Sequence, residues 1–543
     1  IYPDTGNDEV EYTYNQLGEV VTKTDQNGTV HTYEYSTLGQ LEHDRVTTLG
    51  SGIDGAVQRI SYVYDHQQRI DTVTSWDDDS TSSGSVVNQV KRTYNAFGQL
   101  EDDYQDHSKA VVTTTPNPSP KVSYEYDNGS SNTIRLKKTT YPSSAAIDWD
   151  YGTGGVNDIL SRVGSIKESG NTFAEYTYLG YATPVVVDYA DPSVELTYLA
   201  QGAEAEKYGD PYNGLDWFGR IADQRWQDSS GDLERVTYGY TKNSLKQWRR
   251  NLVAPPGAKE DDLYVYDGLQ QIEERDRGNL NPDNTISNVV ETEDWTYDNS
   301  GNWTDYDHTN GGSSVNQSRT HTKSNEIATY NGSSTPRLYD NAGNMTRIPM
   351  GAATTTEYRM ATWDAWNRLR RIQKVGSGST SGTVLDVWYE YDGLTRRTQK
   401  SIVAGVNTGT VSYFYNSDWK CLEEYEGSST TPSKQFVYGA RDRNDLILRK
   451  RDTDSNGSLD ETLYALSDAM GSVTLIVDDS GTEIQRYRYQ AFGPSQVLNP
   501  NFTDWTTGTN YDWQTRFHGE IRDEETGYYN YGYRYYLPEL GRW

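Results

Sequence analysis

One short motif recurs along this chain and constrains it more than any other feature. It reads aromatic, any residue, aromatic, Asp or Asn, two residues, Gly, a polar residue and an apolar one. The first copy runs from Tyr12 through Tyr14, Asn15 and Gly18 to Val20, and the second from Tyr33 through Tyr35, Ser36 and Gly39 to Leu41. Others centre on Tyr64 and Asp65, Tyr94 and Gly98, Tyr266 and Asp267, and Tyr297, Asp298 and Gly301. The series continues at Tyr339, Asp340 and Gly343, at Trp363 and Asp364, and at Tyr391 and Asp392. Copies return at intervals of roughly 20 to 40 residues, the spacing of a repeat array. Some are degenerate: Asp216 precedes Trp217, Phe218 and Gly219, and the turn after Tyr126 and Asp127 is shortened to Gly129.

Each position has a local reason. Two aromatics at i and i+2 share a face of an incoming strand. The Asp or Asn bonds the backbone two residues on and opens a turn. The glycine supplies the positive φ the turn needs, and the apolar residue starts the return strand. Each copy is therefore a hairpin, and the aromatic pairs of successive hairpins are expected to stack into ladders along one antiparallel sheet. The polar stretches 77–84, 116–120 and 376–382 have loop chemistry and read as hairpin tips, because the repeat resumes after each. The expected fold class is all-β: a long array of antiparallel hairpins in a curved sheet, without a major helix.

Composition narrows the functional classes. The 543 residues include 45 Tyr and 14 Trp, which argues against disorder in spite of the polarity. A formal charge of −30 repels nucleic acid, and no basic run offsets it. The single cysteine, Cys421, forbids an internal disulfide and leaves the compartment open. No apolar run of membrane-spanning length is present. The opening residues lack both Met and a signal sequence, so the chain reads as a piece of something longer.

The last stretch, from Arg516 to Trp543, is the densest in aromatics. Tyr529, Tyr531, Tyr533 and Tyr535 fall at period two and are expected on one face of a strand, bracketed by Gly527 and Pro538. With Gly519, Asp523, Tyr528, Arg534, Tyr536, Gly541, Arg542 and Trp543 the stretch resembles the closing motif of the RHS repeat-associated core domain. The upstream units resemble YD repeats, found with that core in bacterial RHS proteins, Tc toxin C components and teneurins. The resemblance implies a β-sheet that spirals into a hollow shell, with a YD array over 1–437 and the core over 438–543. Gln490 replaces a usual Asp in the core.

The resemblance also implies a function: an exported bacterial shell that encapsulates or presents a C-terminal segment, possibly a toxin. Its partner would be that segment or another cargo. The family self-cleaves at aspartates downstream of the position of Trp543, so the catalytic carboxylates are expected outside this chain. Arg534 matches an accessory arginine of that cleavage, and its alternative role is to hold the terminal strand through a carboxylate. The alternative function is a cell-surface adhesion, glycan-binding or extracellular-assembly protein whose Tyr and Trp contact glycans or proteins. A carbohydrate-active enzyme rests only on abundant carboxylates.

Candidate chemistry is otherwise sparse. Asp452, Asp454, Asn456 and Asp460 surround Gly457 with the oxygen spacing of a calcium loop, but Leu463 stands where a twelfth-position Glu belongs. A polar hairpin tip is the competing reading. There is no HExxH, GxSxG or Walker loop, and the seven histidines lie at no ligand spacing. The chain is therefore expected not to be an enzyme, with no cofactor beyond a calcium ion.

Overall fold

A computed structural model describes residues 9–128, 134–198, 214–332, 338–350, 358–375, 383–405, 407–506 and 511–543. The loop 376–382, the shortened turn at Gly129 and the opening residues lie outside these. Among the described residues, apart from one short helix, Val156–Leu160, and a 3-10 turn, Phe517–Gly519, the regular structure is strand. One 24-stranded sheet runs from Glu11–Tyr14 to Ile327–Tyr330, a 13-stranded sheet from Arg347–Pro349 to Ser495–Leu498, and three short strands close the chain. Strands joined in sequence pair antiparallel, as the hairpin motif requires. The expected boundary at 437/438 falls within strand Lys434–Tyr438, in the middle of the second sheet.

The repeat chemistry is uniform. In the first unit, Asn15 Oδ1 accepts from the amides of Leu17 and Glu19, and the Gly18 amide donates to the Asn15 carbonyl. Asp65, Asp267, Asp298, Asp364, Asp392 and Asp468 repeat the arrangement. The fourth turn residue is left-handed throughout, at φ 82° for Gly18 and at 64° and 73° where Gln68 and Thr395 replace glycine. Register slips by one residue just before the second aromatic, for example between Val63 and Tyr64 and between Glu390 and Tyr391. The slip is a bulge that strengthens local twist, and repeated along the array it curves the sheet.

The aromatic ladder differs from the expected ring-on-ring stack. The second aromatic donates its hydroxyl to the carbonyl of the apolar residue that begins the preceding return strand. Tyr35 bonds Val20 at 2.9 Å, Tyr64 bonds Leu41 at 3.0 Å, Tyr94 bonds Ile70 at 2.8 Å and Tyr391 bonds Leu369 at 2.8 Å. Trp363 uses its indole N–H in the same way toward Met345. Arginines from the preceding turn cover several of these rings, with Arg69 3.9 Å above Tyr94. Tyrosine is thus selected for its polar end as well as its apolar area.

The curved sheet returns on itself as a scroll. His31, Asn88, Gln105, Tyr141 and Gln224 of the first sheet bond Ala365, Tyr391, Tyr415, Phe436 and Ser467 of the second, far along the chain. Second-circuit strands such as Leu446–Arg451, Glu461–Ser467 and Val473–Asp478 are buried on both faces. Ile447, Tyr464, Leu466 and Leu475 face the first circuit, packing with Ile166, Val187 and Trp226. Leu463, Ala465 and Ile476 face the other way, toward Trp513 and Ile521 of the terminal segment. The layer order is first circuit, second circuit, terminal segment.

Candidate functional site

The third layer, packed on the second circuit, carries the motif at 516–543. Its tyrosines do not form one strand. Strands Ile521–Asp523, Tyr528–Asn530 and Tyr535–Tyr536 make a small sheet, and a turn over 531–534 with Gly532 at φ 82° separates the last two. Tyr529 and Tyr535 are buried while Tyr533 is 68% exposed, so the period-two expectation fails at the turn. Tyr533 instead rests against Trp419, ring centroids 4.4 Å apart.

Polar anchors hold the segment to successive hairpins. Asp523 is fully buried, with Oδ2 2.7 Å from Arg397 Nη1 and Oδ1 3.0 Å from Lys400 Nζ. Burial alone would raise its pKa, but the two cations hold it below the usual carboxylate range. Tyr529 and Tyr536 donate to the carbonyls of Gly493 and Phe492 at 3.0 and 2.8 Å. Arg319 donates to the Leu540 carbonyl, and Arg542 reaches the Asn325 carbonyl and Asn302 Oδ1. Gly541 sits so close to Trp303 that a Cβ would lie 2.4 Å from the ring. Glycine is required there by close approach as well as by its φ of 62°. Trp543 packs edge-on against Tyr531 and beside Tyr536.

Trp543 also borders a cavity of about 550 Å³ between the two circuits. Its wall includes Lys246, Arg249, Asp468, His518 and Tyr531. Burial lowers the pKa of Lys246 and of His518. An ionic seam runs from this wall through Asp262 and Arg277. Asp262 pairs with Arg275 and Arg277 at 2.9 and 2.8 Å, and Glu291 with Arg277 and His308. Sequence reasoning missed this seam, because abundant carboxylates and arginines carry no pairing information until the strands are in register.

Arg534 lies exposed on the 531–534 turn, its carbonyl accepting from the Tyr531 amide, and it forms no ion pair among the described residues. The carboxylate anchor expected of it is supplied by Arg397 to Asp523. The calcium reading of 452–460 is not supported by the geometry. Asp452 accepts from the amides of Asn456 and Gly457, Asp454 from Asn456, and Asp460 from Thr453. The oxygens close their own turn, and among the described residues no group of three or more His, Cys, Asp or Glu is arranged to hold a metal. Among these residues no helix is long and apolar enough to cross a membrane.

Comparison with known proteins gives one picture. No protein-family model matches the sequence. Over 248 residues it is 29% identical to the tRNA3(Ser)-specific nuclease WapA of Bacillus spizizenii, covering 46% of this chain and 9% of that protein. Over 58% of this chain and 33% of the relative it is 23% identical to toxin subunit YenC1 of Yersinia entomophaga. The chain therefore spans a small part of each relative. In structure it is similar to TcdB2-TccC3-TEV, with a TM-score of 0.66 at 16% identity over 98% of this chain and 26% of that one. The Tc holotoxin pore of Photorhabdus luminescens gives a TM-score of 0.67 over the same shares. By repeat and relatives this chain is similar to RHS-type toxin proteins, and its fold is the shell fold of the Tc toxin structures.

Proposed function

We propose that this chain is the wall of an exported container that encloses a segment of its own polypeptide, a toxin by the nature of its relatives. The observation that carries the reading is the layer order. The terminal segment packs on the face of the second circuit opposite the first, and Trp543, itself 58% exposed, borders the cavity between the circuits. In this reading, polypeptide continuing from that point would start beside this cavity. The names of the relatives supply the cargo class: WapA is a tRNA nuclease and YenC1 a toxin subunit. In this reading the described residues contain and position, and chemistry belongs to the enclosed segment. The acidic surface keeps an exported particle soluble and spaced from its copies. Exposed Trp217 and Phe218 stand side by side on one hairpin tip.

The test is limited proteolysis of the protein with its natural downstream sequence, before and after mild denaturation. Protection of the downstream segment until the wall melts supports the container. Immediate digestion of that segment, with the wall intact, contradicts it.

A further inference from the structure

The lysine that anchors the terminal segment lies between two carboxylates. Lys400, on strand Arg397–Ala404, places Nζ 3.0 Å from Asp523 Oδ1 and 3.1 Å from Glu525 Oε1. The three side chains are 5%, 0% and 6% exposed. Tyr389, Tyr413 and Tyr535 close the surroundings, all buried. Arg397 fixes the other oxygen of Asp523 and bonds the Tyr535 hydroxyl, both at 2.7 Å. An amine and a carboxyl group held in hydrogen-bond contact, away from water and beside a second carboxyl group, are the reactants and the proton carrier of an amide-forming step.

We propose that Lys400 and Asp523 condense to a side-chain isopeptide bond, with Glu525 moving the protons. Glu525 takes a proton from the Lys400 ammonium, and the free amine attacks Cγ of Asp523. Negative charge gathers on Oδ2, where the Arg397 guanidinium already sits. Glu525 passes its proton to Oδ1, then takes the second nitrogen proton and delivers it to the same oxygen. The Cγ–Oδ1 bond breaks, the Nζ–Cγ bond remains, and one water leaves. No oxidant, reductant or cofactor is consumed.

Three observations favour the bond over four resting charges. The condensation removes one buried cation and one buried anion and leaves Arg397 with Glu525, which lowers the desolvation cost of the cluster. Glu525 suits the proton carrier, because burial and the charge of Asp523 raise its pKa. The link also ties residues 123 apart, fastening the terminal segment to the second circuit. The one cysteine, Cys421, cannot provide such a tie.

The experiment is mass spectrometry of the denatured protein and of its proteolytic peptides. The expected result is a chain lighter by one water, with the Lys400 peptide joined to the Asp523 peptide. Glu525→Gln is expected to restore the unreacted mass while the protein still melts in one sharp transition. Asp523→Asn is expected to lose ammonia in place of water. Separate Lys400 and Asp523 peptides from the unaltered, folded protein overturn the proposal. So does a joined peptide that persists unchanged in both Lys400→Met and Glu525→Gln.

Discussion

The tyrosine hydroxyl is the smallest unit that explains this wall. A buried Tyr such as Tyr391 ties its hairpin to the Leu369 carbonyl of the one before. Tyr391→Phe keeps the ring and strands that acceptor, so it should cost about 1–3 kcal/mol in denaturant unfolding. At the exposed unit Tyr14, with no earlier hairpin in the described residues, Tyr14→Phe should be close to neutral. A second residue-scale effect is electrostatic. Burial pushes Glu520 up to about 7 against the Asn444 amide that bonds it at 2.8 Å. Its folded pKa lies above the unfolded one, so its contribution is complete below about pH 4.5 and is lost as pH rises through about 7. Glu520→Gln should flatten the fall in melting temperature over that window.

Between hairpins, the seam of the scroll has its own rule. The residue after the turn Asp or Asn, or after Gln490 in its place, is often small in the second circuit, and its amide meets a side chain of the first. Ser417 donates to the Tyr124 hydroxyl at 2.7 Å, Ala469 to Tyr238 at 3.4 Å and Ala491 to Glu293 Oε2 at 3.1 Å. Gly393 fills the same slot, where a Cβ would lie 2.5 Å from Val73 Cγ1. Gly393→Val should overpack the seam and cost about 1–3 kcal/mol, with earlier proteolysis between the circuits. His31 clasps the seam by charge. Its Nδ1 faces Asp44 Oδ1 at 2.6 Å and Nε2 the Ala365 carbonyl at 3.0 Å, so both nitrogens must donate. Burial lowers its pKa, and the bonds to Asp44 outweigh that and raise it. The clasp is thus strongest below the unfolded histidine pKa and weakens as pH rises through the folded one. His31→Gln should remove that pH dependence, read as seam amide exchange. The loop 452–460 belongs to this scale as well: chelation should leave the melting curve unmoved, since Thr453, Asn456 and Gly457 already occupy the carboxylate oxygens.

At the scale of the molecule, the sequence period made the hairpins, their turns and the continuous sheet legible. The reason is that Asp65 or Asp392 needs only its own next four residues to build the turn. The scroll was legible only through the family resemblance. Contacts such as His31 with Ala365 depend on summed curvature over hundreds of residues, which no local pattern encodes. The terminal motif was found as a motif, yet its geometry was misread, because alternating tyrosines gave no sign of the turn that Gly532 makes within them. The anchoring cluster of Arg397, Lys400, Asp523 and Glu525 was half visible: Asp523 stood in the motif, while its partners lay in an unremarkable repeat strand. The central proposal is that this wall winds inward and hands its chain to an enclosed space. An electron cryomicroscopy map of the protein with its natural downstream sequence tests that most directly. The account predicts a closed wall with the density after Trp543 inside it. Density leaving Trp543 toward solvent, or hairpins lying in an open sheet, would contradict it.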